Sequence, residues 1–211
     1  LWDLLMELGY EAEGMTIGLG IGDYSDASTA AAVAFAEARG LALHRIDLRG
    51  DYGYDIPTAA AVTRRVPCSS CGMSKRHLID KAALDGAFDV VATGHNLDDE
   101  AAVLLGNVLH WQDEYLDKQS PSLPASVEGF AKKVKPLYRL TERELAAYSV
   151  LNRIDYIVEE CPMAKGSKLL LYKEVLNRLE TESPGTKQRF YWGFLEKQVK
   201  AQPVPTTMAE K

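Results

Sequence analysis

Strand-sized apolar segments alternate with helix-sized segments along this chain, and few folds satisfy that alternation. Gly14-Met15-Thr16-Ile17 runs as a short strand into the glycine-rich Gly18-Leu19-Gly20-Ile21-Gly22. An alanine-rich helix is expected from about Ala27 to Arg39, capped by Ser25 or Asp26 and closed by Gly40. Leu41 to Leu48 reads as a second strand and Gly50 to Asp55 as a loop. Pro57 suits the first turn of the next helix. Cys68 and Cys71 fall in the following loop, ahead of a helix from about Met73 to Leu84. Phe88 to Ala92 is a compact apolar strand, and Leu97 to Leu109 is a helix. Before all of these, Leu1 to Leu8 reads as the second half of an amphipathic helix stopped by Gly9, so sequence is expected ahead of Leu1.

The distal half continues the theme. Trp111 to Gly129, with Pro121 and Pro124, reads as a long mobile loop of the size that often carries function. Val134 to Leu137 is extended. Thr141-Glu142-Arg143-Glu144 is a capping box that opens a helix running to about Asn152. Asp155 to Val158 is expected as a strand delivering Cys161 to its end, with helices near Lys168–Glu180 and Lys187–Lys197. The fold class is therefore α/β: a Rossmann-like, mostly parallel sheet with helices on both faces, plus C-terminal helices. Residues 1–200 are expected to form one domain and 201–211 a disordered tail. Ligands of such sheets sit beyond the carboxyl ends of the strands, where both the Thr16–Gly22 and Thr93–Asp99 segments fall.

Charge narrows the function classes. A net charge of −6 argues against a surface that is basic overall. The cations cluster instead: Lys132, Lys133, Lys135 and Arg139; then Lys165, Lys168 and Lys173; then Lys187 and Arg189. Such runs are ordinarily solvated faces, although local patches can grip nucleic acid on an acidic protein. No apolar run is long enough to span a bilayer. The odd count of three cysteines argues against a disulfide framework, so a cytoplasmic location is expected.

Those cysteines carry most of the chemistry. Cys68 and Cys71 form a C-x-x-C pair in Pro67-Cys68-Ser69-Ser70-Cys71-Gly72, and Cys161 lies in Glu160-Cys161-Pro162. Thiolates are soft ligands, suited to zinc or to iron–sulfur clusters. A closed zinc site needs a fourth ligand such as His77, His95 or a carboxylate. Three thiolates leave one iron of a four-iron cube without a protein ligand. A redox-active or simply buried thiol pair is the third reading.

Ala92-Thr93-Gly94-His95-Asn96-Leu97-Asp98-Asp99-Glu100-Ala101 is the second chemical segment. A helix start presents free amides and a positive dipole to a phosphate, and Gly94 lets backbone approach closely. One acid there complements the dipole, but three ask for more. Asp99 is read as a Mg²⁺ or nucleotide-ribose contact. Lys75 and Arg76 near a helix start oppose the dipole, which neutralising a phosphate would explain. His95 is read as a helix cap or a proton shuttle.

The order Pro67-Cys68-x-x-Cys71-Gly72, Ala92-Thr93-Gly94-His95-Asn96-Leu97-Asp98-Asp99-Glu100-Ala101, Glu160-Cys161-Pro162 resembles the tRNA 2-thiolation enzymes of the TtuA and TtcA type. These lie within the ATP pyrophosphatase (PP-loop) superfamily, whose fold is adenine nucleotide alpha hydrolase-like. Ile17-Gly18-Leu19-Gly20-Ile21-Gly22-Asp23-Tyr24-Ser25 looks like their adenine-side segment. The resemblance implies adenylation of a tRNA pyrimidine C2 oxygen by ATP with Mg²⁺, followed by displacement of AMP by sulfur. It implies a [4Fe-4S] cluster held by Cys68, Cys71 and Cys161, catalytic Lys75 and Asp99 beside the nucleotide, adenine contact through the Ile17 backbone, and Gly94 packed on the nucleotide. The implied partners are tRNA, a ubiquitin-like sulfur-carrier protein bearing a C-terminal thiocarboxylate, and a second copy in a homodimer.

Three parts of the family pattern are not in this sequence. They are the S-G-G-x-D-S loop expected just before Leu1, the N-terminal zinc segment of the TtuA branch, and its C-terminal pair of C-x-x-C motifs. The resemblance therefore implies a chain truncated ahead of its phosphate loop and inactive by itself; the rival readings are another PP-loop adenylating ligase or amidotransferase with zinc or no metal, and a non-catalytic nucleotide-binding remnant.

Overall fold

A computed structural model of the chain describes residues 1–125 and 127–201. Its elements are α1 (Trp2–Glu7), β1 (Gly14–Gly18), α2 (Gly22–Arg39), β2 (Leu43–Asp47), α3 (Leu48–Tyr52), α4 (Ile56–Thr63), α5 (Pro67–Asp85), β3 (Val90–Ala92), α6 (Leu97–Leu109), α7 (Asp113–Asp117), β4 (Ser122–Leu123), β5 (Lys132–Val134), α8 (Glu142–Leu151), α9 (Lys168–Glu182) and α10 (Thr186–Ala201). A 3-10 turn, Pro162–Ala164, precedes α9.

The expected parallel pairing is present, in two pieces. β1 pairs with β2 in parallel, Ile17 opposite Ile46. β3 pairs with β5 in parallel, and β4 adds to β5 in antiparallel fashion. Among the described residues no ladder joins the two pieces. Both parallel pairs end at loops that turn directly into helices, which puts the Gly18–Ile21 and Thr93–Asn96 turns at strand carboxyl ends.

Each piece has its own core. Leu19, Ile21, Leu48, Ile56 and Leu78 form one, between the end of β1 and α3, α4 and α5. Leu97, Ala101, Ala102, Leu104, Leu176 and Tyr191 form the other, where α6 packs on α9 and α10. Burying each large side chain contributes about 1.5–3 kcal/mol before entropy is charged against it. The small residues of α6 let the neighbouring helices approach. At Gly106 an added Cβ would lie 2.8 Å from the Tyr172 ring.

Several local expectations change. Cys68 and Cys71 lie in the first turns of α5, not in a loop, because Pro67 starts the helix at a position that needs no amide partner. Gly50–Asp55 is not all loop: Asp47 accepts the Arg49 and Gly50 amides and nucleates the short α3. Trp111–Gly129 contains α7 and β4. Asp155–Val158 forms no strand and pairs with none of the described strands. Neither Ser25 nor Asp26 caps α2. The helix begins earlier, at Gly22, and the Ser25 hydroxyl instead accepts the Leu19 amide at 2.8 Å. The expected tail begins inside α10 at Ala201, and its remaining positions lie outside the described residues.

Candidate metal and nucleotide site

The α5 helix sets the first half of the site. Positions 68, 71, 75 and 78 recur at helical spacing and share one face. That face carries Cys68, Cys71, Lys75 and the fully buried Leu78. Facing it is the 3-10 turn: the Cys68 thiol lies 3.9 Å from the Met163 carbonyl, and the Cys161 carbonyl accepts the Ala164 amide at 2.9 Å. Cys71, Cys161 and Met163 all pack against the core of Leu19, Ile21, Leu48, Ile56 and Leu78. The two cysteine segments, far apart in sequence, therefore converge on one wall.

The electrostatics register the same convergence. Burial pushes the Cys71 thiol pKa up, nearby Lys75 opposes that rise, and Cys161 and Cys68 add to it. The Tyr24 phenol is raised by burial and then by Cys161 and Cys71. All three cysteines are free. Among the described residues, no three His, Cys, Asp or Glu side chains stand close enough to share a single ion. A closed zinc site recruiting His77 or His95 is not assembled. The three thiols are soft donors, chemically suited to iron or zinc.

The second half is the α6 turn. Asn96, not His95, caps the helix: its side chain accepts the Asp99 amide at 3.0 Å while Asp99 accepts the Asn96 amide at 3.1 Å. His95 Nδ1 instead lies 2.8 Å from the Thr93 hydroxyl. Gly94 has nothing within 4 Å of where a Cβ would stand, so the backbone there faces open space.

The three acids divide their roles. Asp98 pairs with Lys187 of α10 and accepts the Glu142 amide at 2.8 Å. Glu100 pairs with Lys135 at 2.8 Å and accepts the Tyr191 hydroxyl at 3.0 Å. Asp99 lies 2.6 Å from the Lys173 ammonium of α9. Three lysines of the sequence's basic clusters thus point inward as counter-ions. Their spacing in the chain carries no sign of this, and only the arrival of acids at a shared helix start could have hinted at it.

The structure brings Cys68, Cys71, Lys75 and Cys161 together, and separately gathers Asp99 with the backbone at Gly94. Ile17 lies at the end of β1, half-buried against the cysteine-bearing core. Among the described residues no hydrogen bond or ion pair links the cysteine group to the α6 turn. No described helix is long and apolar enough to cross a membrane.

The chain matches no family model. It is 54% identical over 197 residues to the tRNA-5-methyluridine(54) 2-sulfurtransferase of Thermus thermophilus, covering 93% of this chain and 61% of that protein. The protein of the same name from Pyrococcus horikoshii is 49% identical over 194 residues, 92% of this chain and 62% of its own length. Among solved structures, the U34-tRNA thiolase NcsA from Methanococcus maripaludis with its [4Fe-4S] cluster superposes with a TM-score of 0.80 at 23% identity. That match covers 100% of this chain and 71% of the thiolase. The α/β fold of the chain matches the fold of that structure. By sequence, the chain is similar to these two tRNA-5-methyluridine(54) 2-sulfurtransferases, and it spans about three fifths of their length.

Proposed function

We propose that residues 1–200 form the PP-loop-type catalytic domain of an ATP-dependent tRNA 2-thiolase. The observation that carries this reading is the packing of Cys71 and Cys161 against one apolar core, with the exposed Cys68 thiol 3.9 Å from the Met163 carbonyl of the 3-10 turn. In this reading the three thiolates hold a [4Fe-4S] cluster. When bound, the cluster supplies an iron free of protein ligands that can carry sulfur.

The chain's own residues do the rest. Lys75, on the cysteine face of α5, offsets phosphate charge as pyrophosphate leaves during adenylation of the pyrimidine C2 oxygen. Asp99 holds Mg²⁺ at the α6 turn. The Ile17 backbone contacts adenine, and the open space over Gly94 admits the nucleotide. Adenylation converts a poor leaving oxygen into a good one, which AMP then carries away. The names of the two curated relatives support 5-methyluridine 54 of tRNA as the target base. A thiocarboxylated carrier protein is the proposed sulfur donor, a homodimer the proposed assembly and the cytoplasm the proposed location.

Anaerobic reconstitution with iron and sulfide tests the core of the reading. Absorption and paramagnetic resonance spectra of a four-iron cluster are expected for the wild type and not for Cys161→Ala. A cluster that survives Cys161→Ala, or metal analysis showing one zinc and no iron, overturns it. For the target base, nucleoside mass spectrometry of treated tRNA should find sulfur at position 54, and sulfur at position 34 would reject that assignment.

A further inference from the structure

Of the three acids that open α6, only Asp99 is presented outward. The side chains of Asp98 and Glu100 are 4% and 2% exposed, whereas that of Asp99 is 22% exposed. Asp98 and Glu100 are structural counter-ions of the helical core. Asp99 is the acid a ligand can touch.

An outward carboxylate on a short side chain would ordinarily rotate. This one is held at both oxygens. Oδ2 accepts the Asn96 amide at 3.1 Å, within the capping box of its own helix. Oδ1 lies 2.6 Å from the ammonium of Lys173. That ammonium is held in turn by Glu142, the first residue of α8. Only 17% of the Lys173 side chain is exposed. One ammonium between two carboxylates leaves the group net negative, so Lys173 orients Asp99 without cancelling its charge.

We propose that Lys173 is the positioning residue of the Asp99 carboxylate: it ties α9 to the α6 turn and fixes the direction in which Asp99 faces its ligand. This rests on the thiolase reading, in which Asp99 acts at the nucleotide. Lys173 itself touches neither substrate nor metal. Holding a reacting group in its productive orientation is worth a large factor in rate, and a displacement of an ångström can cost about 100-fold.

The test is tRNA-dependent pyrophosphate release from ATP by the chain with the family's S-G-G-x-D-S loop restored ahead of Leu1. The proteins compared are wild type, Asp99→Asn, Lys173→Met, Lys173→Arg and the double variant Asp99→Asn/Lys173→Met. Lys173→Met keeps the apolar stem and removes the ammonium. It should lower kcat about tenfold or more with KM for ATP held within about twofold, because orientation matters most in the transition state. Lys173→Arg should recover most of the loss. The double variant should be no slower than Asp99→Asn alone, since Lys173 acts only through Asp99. If Lys173→Met does not fold, Glu142→Gln carries the test, releasing the far side of the ammonium with a smaller fall in kcat.

A folded Lys173→Met at the wild-type rate, or a double variant whose losses multiply, overturns the positioning role while leaving the thiolase reading intact. An Asp99→Asn variant at the wild-type rate removes Asp99 from the chemistry. A loop-restored wild-type protein that releases no pyrophosphate overturns the thiolase reading, and this inference with it.

Discussion

Asp98 and Lys187 form an ion pair sealed inside the helical core, their side chains 4% and 6% exposed. The lysine also bonds the Asn177 side chain, and the aspartate accepts the Glu142 amide. A charge taken out of water is tolerable only while its partner and hydrogen bonds remain. Lys187→Met removes the partner and strands the carboxylate. The expected loss of stability is about 3–5 kcal/mol by urea denaturation. Adding Asp98→Asn to that background should recover a large part, because the buried charge is then gone.

Asp55 gives the chain an acid-sensitive joint. Its carboxylate accepts the Thr58 amide at 2.8 Å as the cap of α4 and lies 2.7 Å from Arg49. The Thr58 bonds, and then Arg49, hold its pKa down to about 2. A carboxyl depressed in the folded state adds stability above its unfolded value, near 4, and loses it as pH falls through the folded value. The gap in melting temperature between wild type and Asp55→Asn should therefore be full at pH 5 and shrink as pH falls from about 4 to about 2. A gap independent of pH over that range would show that the carboxylate is not the group responsible.

Gly20 is irreplaceable for two independent reasons. Its φ of +67° is costly for any side-chain-bearing residue, and an added Cβ would stand 2.5 Å from the Asp55 Cβ. The Asp55 Cβ is fixed to the backbone and cannot swing aside. Gly20→Ala should destabilise by at least about 2 kcal/mol, read by thermal or urea unfolding.

Gly94 should behave in the opposite way. With nothing within 4 Å of a Cβ, Gly94→Ala should leave the melting temperature close to wild type. The proposed nucleotide would fill that space, so ATP affinity measured by calorimetry should fall. An unchanged affinity would place the nucleotide elsewhere.

Much of this architecture was readable from residue order. The Thr141 capping box and the α6 boundaries at Leu97 and Leu109 stand as expected, because caps and periodicity are local signals. Errors arose where a local pattern had a non-local competitor. Asp155-Tyr156-Ile157-Val158 is strand-like in composition but lacks a ladder partner, and Val158 is 78% exposed. Cys68 and Cys71 were legible as a pair, but their placement on a helix face beside Lys75 depended on reading Pro67 as a helix start. The convergence of Cys161 with them came from family resemblance; residue spacing alone left zinc and free thiols open. The inward lysines were illegible because their partners are supplied by tertiary packing, as with Lys187 and an aspartate 89 positions away.

The bare backbone at Gly106 reaches further than its own contact. It lies two helical turns beyond Asp99 on α6, and Tyr172, which it seats, immediately precedes Lys173 on α9. The missing side chain acts as a gauge: it sets how deeply the two helices interlock, and with it the span that the Lys173 ammonium must bridge. A substitution at 106 would wedge that span open, so tuning of the carboxylate is dictated in part by a position that has no functional group at all.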